Sequence, residues 1–382
     1  MRFLKAERIF SGIDYLPADT VLVVDDEGFI KDLLLEPELD KSQIERFEGI
    51  LSPGFVNAHC HLELSHFKDK IPQKTGLPGF ALEVVKQRGN FPAEFMEDAM
   101  SAADRGMWEN GIVAVGDISN GSDSFKTKTS SKIHYHTFIE LIGLNPKNAD
   151  SIFEKGKEQL KMLWDLGLAG SLAPHAAYST SKELIHKIAG FDQHNKSPFS
   201  IHNQESPEEA KFFMGEPNGF MKLYDFLNLD ISWFKAPEMS SLKYYGGNLS
   251  EKNALLVHNT FTNQSDINFV KHKNVIWCFC PCANKYIENT LPDFSIFEAE
   301  NICIGTDSLA SNLGLDLLEE INLIAEESNH FSMQQLLKAV TYNAARALGI
   351  EEKFGQLLPG KRPGLNLLKK EDTKLKFIKK IC

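Results

Sequence analysis

From Ile50 onward, short apolar runs alternate with stretches of helical period, and this rhythm constrains the fold more than any other feature of the chain. The runs are Leu51–Ala58, Ile112–Ile118, Ile133–Ile142, Gly170–Pro174, Phe199–His202, Ala254–His258, Val275–Cys280 and Ile302–Thr306. Amphipathic stretches such as Glu97–Asn110, Ser151–Leu166, Ser181–Ala189 and Ser265–His272 lie between them. A strand followed by a helix, repeated eight times, is the pattern of a (β/α)8 TIM barrel, in the α/β class. Beyond the last run, Leu315–Ile324 and Gln334–Leu348 read as helices, Gly355–Lys361 as a turn, and Gly364–Leu368 and Leu375–Ile381 as strands. The opening runs Ala6–Ile9, Thr20–Val24 and Phe29–Leu35 are broken by Gly, Pro and Asp and read as small antiparallel strands. The closing strands are expected to join them in one small β domain. Segment 207–250 is long for a loop and rich in aromatics, which suits a lid or a subunit contact.

A chain of 382 residues with 42% apolar and 24% charged residues can bury a large core. Its net charge of −11 argues against a nucleic-acid partner. The one basic stretch, Lys369–Lys380, reads as a solvated tail or edge strand. No apolar run reaches the ~18 residues that span a bilayer, and the N-terminus lacks the pattern of a secretory signal. Six cysteines in so long a chain do not make a disulfide framework, so a reducing, cytoplasmic setting is expected.

In a barrel the C-terminal ends of the strands face the active site. Here the runs end in His59-Cys60-His61, in His175, in His202 with Glu205 three residues on, in His258, and in Asp307. His-x-His on an extended segment turns both imidazoles to one face, because side chains repeat every second residue. One more His and an Asp complete an N3O set suited to Zn²⁺ or Fe²⁺. Alone, His59-x-His61 says little; His202, His258 and Asp307, in order after their own strands, make a metal site the expectation.

The segments Pro53–Glu63, Ala173-Pro174-His175-Ala176, His202–Ser206, Val257-His258-Asn259 and Gly305–Asn312 together resemble the amidohydrolase superfamily. They are most similar to its cytosine deaminase, chlorohydrolase and adenosine-type deaminase branch. The resemblance spans roughly residues 1–368 and implies a barrel over 51–350, flanked by a small β-sandwich from 1–50 plus 351–382. It also implies a homo-oligomer, a dimer being expected, and one divalent metal held by His59, His61, His202 and Asp307, with zinc preferred and iron also suited. Glu205 matches the proton carrier, His258 the histidine that orients and helps deprotonate the water, and His175 a position that often touches substrate. A metal lowers the pKa of bound water towards ~7; Asp307 and His258 then accept a proton, and Glu205 protonates a ring nitrogen beside the carbon under attack.

The stretch from His59 through Arg88 is most similar to aminodeoxyfutalosine deaminases, so a small heterocyclic substrate, a 6-aminopurine nucleoside, is expected. Glu83 is the candidate for ribose hydroxyls in that case, and Arg88 a further substrate contact, with Glu63 and His66 within reach of the pocket mouth. An imidazolonepropionase-like ring amidase or a chlorohydrolase would share the same mononuclear site. A binuclear amidase is disfavoured, because Ser171–His175 has no bridging lysine. One departure stands out: where relatives often show Cys-Pro-x-Ser-Asn, this chain reads Cys280-Pro281-Cys282-Ala283-Asn284, with Cys282 where an Arg is frequent. Alternation would align Cys278, Cys280 and Cys282 on one strand face, but without metal-site spacing they read as ordinary buried cysteines. Asp117, ending the second run, reads as a structural hydrogen-bonding residue.

Overall fold

A computed structural model describes residues 1–195, 197–249 and 253–382. Eight parallel strands form two four-stranded sheets. The first pairs β5 (Phe55–Cys60), β6 (Ile112–Ser119), β7 (His134–Leu141) and β8 (Ala169–Pro174), in that order. The second pairs β9 (Phe199–Asn203), β10 (Ala254–His258), β11 (Val275–Phe279) and β12 (Ile302–Ile304). Single parallel bridges, Ala176 to His202 and Cys60 to Asp307, join the two sheets.

These strands are buried along their whole length from β5 to β7 and from β9 to β12, apart from half-buried His134, as expected where both faces are covered. Period-two alternation splits their side chains into two layers. Val56, Ala114, Phe138, Leu255 and Ile276 belong to one cluster, which Ala344–Leu348 also enters. Phe55, Val115, Ile139, Phe199 and Leu256 pack into another with Met107, Leu160 and Leu163 of the helices Ala93–Glu109 and Ala149–Asp165.

The termini meet in one six-stranded sheet. It holds β1 (Arg2–Ile9), β2 (Thr20–Val24), β3 (Ile30–Leu35), β4 (Ile44–Pro53), β13 (Leu365–Glu371) and β14 (Lys374–Lys380), in the order β14-β13-β4-β1-β2-β3. The closing strands thus rejoin the opening ones through β13 and β4, and the basic stretch forms an edge hairpin. The three opening strands are antiparallel as expected, β1 with β2 and β2 with β3, while β4, outside those runs, lies parallel to β1. The run Leu51–Ala58 is also divided, its first three residues ending β4. Gly54 makes the turn, and a Cβ there would lie 2.4 Å from Val113 and 2.8 Å from the Pro363 carbonyl.

The expected helix Gln334–Leu348 is two, Met333–Ala339 and Tyr342–Ala347. The Val340 carbonyl between them accepts from Val56 N–H of β5 at 2.8 Å, which takes it out of the helical ladder. Segment 207–250, whose last residue Ser250 lies outside the described residues, is not structureless. It contains helices Pro207–Met214, Phe220–Phe226 and Ser241–Tyr245, packed through buried Phe212, Phe213, Phe220 and Tyr245. Among the described helices, none is long and apolar enough to cross a membrane.

Candidate metal centre and active site

The strand-end residues converge. His59 is on β5, His61 just after it, His202 and His258 on β9 and β10, and Asp307 after β12. The His61 Nε2 lies 3.1 Å from both His59 Nε2 and His202 Nε2. Asp307 Oδ1 is 3.4 Å from His61 Nε2 and 3.6 Å from His59 Nε2. Ligands at about 2.05 Å around a tetrahedral ion are separated by about 3.3 Å, so these four groups fit a divalent metal. The Nδ1 of His202 is 2.8 Å from the His175 carbonyl, which makes it the donor and leaves the Nε2 lone pair free.

The backbone is held in unusual shapes to achieve this. Gln204, His258, Asn259 and Asp307 all have positive φ, a conformation costly for residues with a Cβ. Gly305 lets β12 pass against β5, since a Cβ there would sit 2.7 Å from the His59 Cβ. Asn57 locks the crossing: its amide donates to Thr306 Oγ1 at 2.7 Å and its carbonyl accepts from Thr306 N–H at 3.1 Å.

Burial sets the protonation states. It pushes His61 down to about 3, His175 and His258 to about 4, and His202 well below its ordinary value. These imidazoles are neutral at pH 7, as ligands must be. Burial alone would raise Asp307, but the His59, His61 and His258 around it hold the carboxyl well below the usual range. Glu205 goes the other way: burial, then the Asp307 charge, raise it well above a free carboxyl, which favours its protonated form. The Glu205 Oε2 is 3.6 Å from His258 Nε2, and His258 Nδ1 is fixed by Asn284 Oδ1 at 2.9 Å. One site therefore places two carboxyls in environments that push their pKa values in opposite directions.

These groups open into a cavity of about 500 Å³ whose walls are mostly apolar. His175 and Arg88 line it, and so do Leu223, Tyr224 and Leu227–Ile231 of the long segment, which makes that segment a wall of the site. Glu83 does not reach it. The inner face of helix Gly76–Gln87 shows Leu77, Phe80, Ala81 and Val84 to the cavity, while Glu83 is bonded to Lys86 at 2.9 Å. Glu63 instead ties down a loop, accepting from Asn120 N–H at 2.9 Å, and His66 packs against Phe67 and Phe91.

Cys282 is also outside this cavity. The strand ends at Phe279 and Pro281 starts a helix, so alternation stops before Cys282, whose N–H donates to Glu320 Oε2 at 2.9 Å. The buried Cys278 thiol contacts Cys280 and Cys303 instead. Asp117 is structural: it accepts from Leu62 N–H at 2.7 Å and pairs with fully buried Lys128 at 2.6 Å.

Two cavity residues escaped the sequence reading. Glu140, near the end of β7, is buried, and burial raises it to about 7. Its Oε2 accepts from Asn120 Nδ2 at 2.6 Å, and both residues line the cavity. The apolar Leu141-Ile142 that closes the third run conceals Glu140 in the sequence.

With this geometry in hand, the relatives are informative. Residues 50–381 match the model of the amidohydrolase family. An adenosine deaminase of Helicobacter pylori is 26% identical over 333 residues, covering 84% of this chain and 78% of the relative. Among solved structures, the Helicobacter pylori aminofutalosine deaminase in complex with methylthio-coformycin superposes with a TM-score of 0.81 at 22% identity, covering 98% of this chain and 93% of that one. Atrazine chlorohydrolase TrzN of Arthrobacter aurescens, complexed with zinc, gives 0.75 at 17% identity, with 96% and 86% covered. The chain belongs to the amidohydrolase family, and its overall fold is that of these enzymes.

Proposed function

We propose that this amidohydrolase-family chain is a metal-dependent aminohydrolase that deaminates a 6-aminopurine nucleoside of the adenosine or aminodeoxyfutalosine type. The observation that carries the reading is a pair of carboxyls in opposed settings: Asp307 Oδ1 3.4 and 3.6 Å from two imidazoles and pushed low, and Glu205 buried 3.6 Å from His258 Nε2 and pushed high. Replacing an amine by water needs a base and an acid in one site. The names of the relatives support an adenosine-like substrate.

In this reading the scaffold is a closed (β/α)8 barrel over 51–350, flanked by a β-sandwich domain from 1–50 plus 351–382. His59, His61, His202 and Asp307 hold one zinc ion, as the 3.1–3.6 Å separations of their ligand atoms favour. When bound, the ion supplies Lewis-acid chemistry and brings the pKa of a water to near neutrality. Asp307, aided by His258, takes a proton from the attacking water. Asn284 fixes the His258 tautomer so that its Nε2 lone pair faces the site. Glu205 gives its proton to the ring nitrogen beside the amino-bearing carbon, which makes that carbon electrophilic. The proton taken from water passes to the amine, ammonia leaves, and the proton left on the new hydroxyl returns to Glu205 as the carbonyl forms. His175 and Arg88 contact the substrate, His175 near the reacting end and Arg88 at the exposed mouth.

An ammonia-release screen of the zinc-loaded protein over purines, pterins, pyrimidines and their nucleosides tests this, with Glu205→Gln beside wild type. Turnover of an aminopurine nucleoside and a 10²–10⁴-fold loss in the variant are expected, the usual worth of a general acid. No turnover of any amino-heterocycle, or equal rates in the two proteins, would overturn it.

A further inference from the structure

We infer that Glu320 is a positioning residue that ties together the two loops on which Asp307 and His258 depend, so that one carboxyl outside the cavity holds both groups in register. The inference rests on the aminohydrolase reading and adds to it a residue that lines no part of the substrate cavity.

Glu320 sits in the first turn of helix Leu317–Glu327 and is fully buried. Each of its oxygens takes a donor from a different loop. Oε1 accepts from Asn312 Nδ2 at 2.7 Å, and Oε2 accepts from the Cys282 N–H at 2.9 Å. Burial pushes the carboxyl up to about 8, while these two donors pull it down.

The Asn312 arm leads to Asp307. Asn312 Nδ2 also donates to the Thr306 carbonyl at 2.9 Å, and its Oδ1 accepts from the Leu313 N–H at 2.8 Å. Ser311, one residue earlier, donates its hydroxyl to Asp307 Oδ2 at 2.6 Å. Residues 306–312 thus close around Asp307, and Glu320 fixes that closure from behind. The turn needs such bracing, because Asp307 has a φ of +55°.

The Cys282 arm leads to His258. Cys282 lies in the first turn of helix Pro281–Ile287, where N–H groups have no partner within the helix. Cys280, the residue before the helix, gives it no side-chain cap. Glu320 supplies the missing acceptor and so sets where the helix begins. Two residues on, Asn284 Oδ1 accepts from His258 Nδ1 at 2.9 Å. A shift of Glu320 therefore reaches His258 through one short helix and Asp307 through one short loop.

The test measures two quantities on the whole chain. One is the Kd for Zn²⁺, by competition with a chelator. The other is kcat/KM at saturating Zn²⁺ for ammonia release from the aminopurine nucleoside that the screen selects. Outer partners of metal ligands are worth about 10- to 100-fold, so Glu320→Gln, which sets an amide against one of the two N–H donors, should raise the Kd and lower kcat/KM by about 10-fold each. Asn312→Ala should raise the Kd, and adding Glu320→Gln should worsen the larger single effect by no more than about 3-fold. Asn284→Leu should lower kcat/KM and leave the Kd at its wild-type value. Its combination with Glu320→Gln should fall short of the product of the two losses by about 3-fold or more, whereas independent sites multiply. If Glu320→Gln does not fold, Glu320→Asp, too short to reach both donors, takes its place in both cycles. A folded Glu320 variant with a lower Tm but wild-type Kd and kcat/KM, or single effects that multiply in both cycles, overturns the inference and leaves Glu320 a packing residue. Absence of ammonia release from every aminopurine overturns the aminohydrolase reading instead, and the Zn²⁺ cycle with Asn312→Ala then decides the role of Glu320.

Discussion

The carboxyl buried at the end of β7 should destabilise the folded protein, and Glu140→Gln measures by how much. Burial raises Glu140 from an ordinary 4.5 to about 7. At 1.36 kcal/mol per pH unit, that difference stands for about 3 kcal/mol. The sign follows from proton counts. Below pH 4.5 the carboxyl is protonated folded and unfolded, and the wild type carries no penalty. Above 4.5 the unfolded chain ionises first, so wild-type stability falls as pH rises and the full penalty is present above about 7. Gln cannot ionise and keeps an oxygen for Asn120 Nδ2. The variant should therefore be more stable by about 3 kcal/mol at pH 8 and by about 1 kcal/mol at pH 5. With about 2.1 cal/mol/K per residue, a chain of 382 residues has an unfolding entropy of about 0.8 kcal/mol/K. The expected Tm gain is then about 4 °C at pH 8 and about 1 °C at pH 5. The assay is differential scanning calorimetry of the chelated proteins at one scan rate from pH 5 to 8. Chelation matters, because a nearby dication would favour the charged carboxylate and shrink the difference. The histidines titrate in both proteins and cancel. A Tm difference that does not grow with pH, or a variant less stable at pH 8, would refute the reasoning.

Three further outcomes are expected. Adding Zn²⁺ to chelated wild type at a hundred times its Kd should stabilise it by about 2.7 kcal/mol, or about 3 °C in Tm, and His59→Ala should abolish both the shift and the bound zinc seen by elemental analysis. Asn284→Leu, which frees the His258 Nδ1, should lower kcat/KM about 10- to 100-fold in the ammonia assay while zinc content stays at the wild-type level. Lys128→Met strands Asp117 inside the protein and should cost about 3–5 kcal/mol in urea unfolding, whereas the double variant with Asp117→Asn should recover part of that loss.

Most strands were legible because both their faces are buried, so they read as predominantly apolar runs that polar residues follow at the strand ends. This is why His59, His202, His258 and Asp307 could be read as a group before any contact was known. Glu140 was missed for a related reason. The third run continues to Ile142, and an apolar residue after the strand hid the carboxyl two places back. Glu83 was assigned by region, although helix phase already argued against it. Leu77, Ala81, Val84 and Arg88 recur at helical spacing on the cavity face, while Glu83 sits one step off, three residues from Lys86. Asn284 could not have been chosen from its residue type. Its amide does not titrate, and its role depends on the turn after β11 bringing a helix beneath His258. The alternation considered for the three cysteines does not reach Cys282, because Pro281 cannot continue the ladder and begins a helix instead.

The residues proposed for the metal also join the two four-stranded sheets, and this ties the chemistry to the fold. At one seam the His59 carbonyl accepts N–H groups from both Thr306 and Asp307, at 3.0 and 3.1 Å. At the other, the His175 carbonyl accepts both the N–H and the Nδ1–H of His202, at 2.9 and 2.8 Å. A strand that simply continued there would point Asp307 along the ladder; the positive φ swings it toward the imidazoles instead. The strain of that turn is offset by the seam hydrogen bonds, by Asn57 beneath them and by the Ser311 hydroxyl donated to Asp307 Oδ2 at 2.6 Å. The catalytic geometry is therefore not laid on a finished scaffold. The same backbone groups that join the sheets aim the side chains, so a substitution that loosens a seam should be felt in metal affinity before it is felt in global stability.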